Sequence, residues 1–122
     1  MTENSIHLPE NIFPNEEFAE LLHRAESDAP DLTPGEAMQW HTYMTAVFRH
    51  FGNLAYQYRV GALDKQMWEA YQRTLKEHLR TRAWQTWFKQ NGHLFSTSLI
   101  EQVNRMVREL DEEALESGQR QL

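Results

Sequence analysis

FRHFGNLAYQYRVGALDKQMW, residues 48–68, is the stretch that decides the fold. Its aromatic and aliphatic residues recur at helical spacing, Gly61 stops the run, and Asp64 is placed to open another helix a few residues later. So short a connection makes the two helices antiparallel neighbours, and the stretch is predicted to be a helical hairpin.

Working back from the hairpin, the first helical arm is expected to begin at Pro34. Thr33, Pro34 and Glu36 supply an N-cap, a first-turn proline and the acid of a capping box. From there to Val60 the residues Trp40, Met44, Val47, Phe51, Leu54, Ala55 and Tyr58 share one face, the expected core face. Thr45, Arg49, Asn53 and Tyr56 fall on the other side. Gly52 sits in mid-helix at a propensity cost of about 1 kcal/mol, which a close helix crossing would explain.

All four prolines, Pro9, Pro14, Pro30 and Pro34, lie in the first 34 residues. A shorter helix is expected between them, from Asn15 to about Asp28, with Phe18, Leu21, Leu22 and Ala25 on its apolar face. Beyond the hairpin, Met67, Trp68, Tyr71 and Leu75 continue the second arm. A break is expected near Leu79 to Thr81, with Thr81 as a fresh cap before Trp84, Trp87 and Phe88. Asn91 and Gly92 end that helix. Ser96, Thr97 and Ser98, with Glu101 three residues after Ser98, start a last one through Leu99, Val103, Met106, Val107 and Leu110. No run has strand period. The expectation is an all-α, single-domain bundle of about five helices with a long central helix: a polar arm over 1–14, the bundle over 15–113 and a flexible tail over 114–122.

Composition narrows the function classes. The chain has 122 residues, one domain's worth, and no cysteine, which removes disulfides, zinc–thiolate sites and thiol chemistry together. That composition suits a reducing compartment, so the cytoplasm is the expected location. The opening MTENSIHLPENIF has no basic region and no long apolar run, so neither a secretory signal nor a membrane anchor is expected there. The net charge of −6 is unevenly spread: residues 1–36 hold nine acids and one base, residues 37–109 five acids and ten bases, and residues 110–122 four acids and one base. An acidic total disfavours nucleic acid as a partner, yet the basic middle can face an anionic surface or pair internally.

The pieces LTPGE, FRHFGNLAYQYRVGALDKQMWEAY, the pair Trp84 and Trp87, and HLFSTSLIEQV occur here in that order. In these, and above all in Tyr56, Gln57, Tyr58, Gly61, Leu63 and Trp68, the segment from Asn15 to Val103 resembles the soluble part of a widespread, functionally uncharacterised family of small bacterial membrane-anchored proteins. The resemblance implies a helical domain beside a membrane and brings no activity with it. Family members carry one or two N-terminal transmembrane helices, whereas residues 1–14 here form a short polar stretch.

Three groups of residues invite a functional reading. Glu20 and His23 make one Glu-x-x-His, half of what a carboxylate-bridged diiron bundle uses twice, and no second copy follows, so no metal or other cofactor is expected. Arg73, Lys76 and Arg80, followed by Arg82, Trp84, Trp87 and Lys89, concentrate cations and amphipathic aromatics in a candidate surface for a partner or an anionic membrane. The favoured reading, however, makes the tryptophans core and pairs the cations with the acidic first helix. Asn53, Tyr56 and Gln57, with Arg59, are candidate ligand-binding or interface residues near the hairpin turn, but the favoured reading is a tyrosine hydroxyl or glutamine amide buried and satisfied across it. His50 reads as a hydrogen-bonded residue at the core boundary, and Ser96 and Ser98 read as caps, since no triad surrounds them. The favoured function is a non-enzymatic protein-interaction module, self-associating or binding a partner, in the cytoplasm or at the inner face of the membrane. The alternative is a small-molecule binder or enzyme with an aromatic pocket and His41, His50 or Tyr58 as polar contacts.

Overall fold

A computed structural model of the chain describes residues 16–27 and 31–121, with side chains described as far as residue 118. The described residues form α1 (Glu16–Ala25), α2 (Pro34–Arg59), α3 (Lys65–His78), α4 (Arg82–Asn91), a 3-10 turn (Gly92–Leu94) and α5 (Thr97–Gln121), and no strand occurs among them. The chain is an all-α, single-domain bundle. The polar arm, Asn15 and Asp28 lie outside the described residues.

The helix ends follow from their capping chemistry. Thr33 Oγ1 accepts from the Glu36 backbone N–H at 3.1 Å and Glu36 Oε1 accepts from the Thr33 N–H at 3.0 Å, a complete capping box. Arg24 Nη1 donates to the same Glu36 oxygen at 2.9 Å, and its other terminal nitrogen pairs with Glu36 Oε2, tying the end of α1 to the start of α2. Gly61 takes a left-handed φ of 82°. The N–H of Gly61 bonds to Tyr58 O at 3.1 Å and that of Ala62 to Gln57 O at 2.7 Å, so the last carbonyls of α2 are satisfied by a Schellman motif. Asp64 Oδ2 then accepts from the Gln66 and Met67 N–H groups and opens α3.

The two later helix starts stand where expected but differ in their capping bonds. Thr81 has extended backbone at the start of α4, but its side chain makes no capping bond; the bend is held instead by Gln85 Nε2 donating to Leu79 O at 2.7 Å. Ser96, not Ser98, caps α5, accepting from the Leu99 N–H at 3.2 Å. The helix formers in DEEALE carry α5 on to Gln121.

Phe48 is the hub of the core, fully buried and in ring contact with Trp84, Trp87, Phe88 and Phe95. Around it pack Met44, Phe51, Leu54 and Ala55 of α2, Trp68 and Leu75 of α3, Leu79 of the bend, and Leu99, Val103, Met106 and Leu110 of α5. Phe48 belongs to the α2 stripe although it was not among the residues expected there. Tyr58, expected in that stripe, is 37% exposed and stacks on Trp68 at the hairpin's open end.

Helix directions position the surfaces discussed below. Tyr58 meets Trp68 and His50 meets Tyr71, so α2 and α3 run antiparallel. Lys76 pairs with Glu109 and Glu113, and Arg80 with Glu113, so α5 runs parallel to α3. The hairpin turn therefore lies at one end of the bundle and the C-terminal part of α5 at the other.

Candidate functional site

The hairpin end of the bundle carries an apolar and cationic groove. Arg49, Gly52, Asn53, Tyr56 and Arg59 of α2 face Leu94, Phe95, Ser96 and Leu99 across a recess of about 300 Å³. The Arg49 guanidinium sits 5.5 Å from the Phe95 ring centroid and that of Arg59 5.4 Å from the Tyr56 ring. Guanidinium planes rest readily on aromatic faces, and both cations here lie on rings with no carboxylate partner among the described residues. Residues 37–68 contain one acid, Asp64, and its carboxylate is engaged as the cap of α3.

Seven large apolar or aromatic side chains are exposed among the described residues, and five of them, Tyr56, Tyr58, Val60, Met67 and Leu94, lie at this end. Tyr56 is 56% exposed. Of the five, Tyr56 and Leu94 line the groove with the two arginines, while Tyr58 stacks on Trp68 on the α3 side. Asn53 and Gln57 are also exposed. The expectation that Tyr56 and Gln57 are buried and paired across the hairpin is corrected here: the buried side of α2 at this level is taken by Leu54 and Ala55.

The other group of candidate residues is dispersed by the fold. Trp84 and Trp87 are buried at 2% and 5% exposure and present no surface. Lys76 lies 2.8 Å from Glu113 and 3.3 Å from Glu109, and Arg80 binds Glu77 and Glu113. These cations clamp α3 to α5, so the expected pairing with the acidic first helix is replaced by pairing with the last one. The Lys76 ammonium, with Arg80 beside it, holds the Glu113 carboxyl below the usual range, and the acids raise the Lys76 and Arg80 pKa values in turn. Arg73 is exposed on the rim of the α3–α5 groove with Glu69, Gln72 and Arg105.

No group of side chains that could hold a metal ion occurs among the described residues, and Glu20 and His23 are both exposed on α1. No polar or charged side chain among the described residues is buried. His50 is exposed with its ring against Phe51 and Tyr71, and His41 packs on Trp87. An aromatic-floored recess does exist elsewhere, between Ala25, Trp40, Arg82, Thr86, Trp87 and Gln90, but at about 180 Å³ it is smaller than the usual ligand pocket. No described helix is long and apolar enough to cross a membrane.

Comparison of the chain with protein-family models, with curated proteins and with solved structures finds no match.

Proposed function

We propose that the protein is a non-enzymatic helical interaction module that docks a protein partner through the groove at the hairpin end. The observation that carries this reading is that the exposed Tyr56 and Leu94 line one recess with Arg49 and Arg59, which have no carboxylate partner among the described residues. Such a groove fits a segment that brings acidic side chains around an apolar one: the guanidiniums take the carboxylates and the ring faces take the apolar group. Asn53 supplies hydrogen bonds at the rim. The test uses a fluorescently labelled synthetic peptide of alternating glutamate and leucine. Binding that is lost in the double variant Tyr56→Ser, Arg59→Gln, at unchanged melting temperature, supports the reading. Equal binding by the variant, or none by the native chain, overturns it.

A second reading has its own support. Tyr58, Val60 and Met67 stand beside Arg59 and Lys65 at the same end, and tyrosines with cations suit the headgroup layer of an anionic bilayer. With the resemblance to membrane-anchored proteins, this favours a place in the cytoplasm at the inner face of the membrane. Salt-sensitive co-sedimentation with phosphatidylserine vesicles, lost in Arg59→Gln, Lys65→Gln, tests it. Sedimentation no greater than with phosphatidylcholine vesicles contradicts it.

A further inference from the structure

The bundle is polar from end to end. At the hairpin end lies the groove of Arg49 and Arg59, floored by Tyr56, Leu94 and Phe95. At the other end α5 continues past its last clamp at Glu113 for about 12 Å at 1.5 Å per residue. Its inner side, through Ala114 and Ser117, still lines a recess with Arg80 and Gln85, and the outer side of this C-terminal projection carries the opposite chemistry. Leu115 is the most exposed large apolar side chain among the described residues, at 67%. Asp111 and Glu112 lie one turn before it, at the i−4 and i−3 positions that share its face, and neither has an ion-pair partner among the described residues. Each end therefore presents what the other lacks: an apolar side chain flanked by carboxylates, and an apolar recess flanked by guanidiniums.

We infer that the occupant of the hairpin-end groove is the α5 projection of a second copy of this chain, Leu115 entering between Tyr56 and Leu94 while Asp111 and Glu112 meet Arg49 and Arg59. The inference rests on the docking role proposed for the groove and names its partner. Because donor and acceptor surfaces are on opposite ends, the contact is heterologous: each copy that docks leaves one groove and one projection open, so association proceeds head to tail. The net charge of −6 works against any close approach of two copies, which makes local complementarity at the ends necessary.

Sedimentation velocity on the full chain tests this. In low salt the sedimentation coefficient is expected to rise steadily with concentration, without a plateau at dimer, and to fall back in high salt. A groove variant, Arg49→Gln with Arg59→Gln, and a projection variant, Asp111→Asn with Glu112→Gln and Leu115→Ser, are each expected to remain monomeric with native circular dichroism. Their equimolar mixture is expected to form a 1:1 complex and nothing larger, since the mixture holds one intact groove type and one intact projection type. A native chain that stays monomeric in low salt overturns the inference, as does association that the projection variant leaves intact. Monomeric behaviour together with retained binding of the glutamate–leucine peptide overturns self-pairing alone and leaves the groove reading standing; loss of both overturns both.

Discussion

The carboxylate of Glu26 accepts the indole N–H of Trp84 at 2.7 Å, joining the end of α1 to the core across 58 positions of sequence. Trp84 is almost fully buried, and His78 lies parallel to its face at 4.4 Å between ring centroids. A buried indole N–H without an acceptor is costly, so this bond fixes where α1 can dock. Replacing Glu26 by Ala is expected to lower unfolding stability by about 1–3 kcal/mol in urea titration. Glu26→Gln, which keeps a side-chain oxygen, should recover most of the loss. Equal destabilisation by both variants would show that charge, not the hydrogen bond, holds α1.

Two glycines of α2 should respond to alanine with opposite signs. Leu99 of α5 does lie over Gly52, but a Cβ there would meet Leu99 Cδ2 at 3.6 Å, an ordinary contact. The crossing therefore does not require glycine, and Gly52→Ala should stabilise the chain by roughly 0.5–1 kcal/mol through helix propensity. Gly61 has open space around it and a φ of 82°, so Gly61→Ala should destabilise by about 1–2 kcal/mol from the left-handed backbone alone. Thermal melts of the two variants give the signs directly.

Glu36 should leave a signature in acid. Its hydrogen bonds from Arg24 and then from the Thr33 backbone hold its pKa down at about 2, against the ordinary 4.5. Since the folded-state value is the lower one, the stability that Glu36 adds is complete above about 4.5 and is lost as pH falls from there towards about 2. Carboxyl carbon chemical shifts followed through an acid titration should give Glu36 a midpoint near 2, and Arg24→Ala should move it upward. An ordinary midpoint in the native chain would deny the pairing.

The clamp between α3 and α5 should be electrostatic and salt-sensitive. Glu113→Lys places a like charge beside Lys76 and Arg80, so the melting temperature should fall in low salt. At about 1 M salt, where screening acts over about 3 Å, most of that difference should vanish. A deficit independent of salt would mean that the substitution disturbs packing instead.

Much of the bundle was legible because local chemistry sets it. The capping box at Thr33, the left-handed Gly61 and the Asp64 cap are decided within a few residues, and the 3.6-residue period places Met44, Phe51 and Leu54 inward. Phe48 was also within reach, four residues after Met44 and three before Phe51. What the sequence could not convey depends on which helix meets which. Trp84 and Trp87 beside a run of cations admit a surface reading as well as the favoured core one until α2 packs on α4. Lys76 and Arg80 have acids available in both α1 and α5, and only the parallel course of α5 decides between them. The groove itself joins α2 to the turn before α5, forty-odd residues later, and no periodicity within either segment reveals it.

The most direct test is amide chemical-shift mapping of the native chain during titration with the glutamate–leucine peptide. The account predicts saturable shifts concentrated at Arg49, Asn53, Tyr56, Arg59, Leu94 and Phe95. Shifts centred on the Trp40 and Trp87 recess, or no saturable shifts at all, would contradict it.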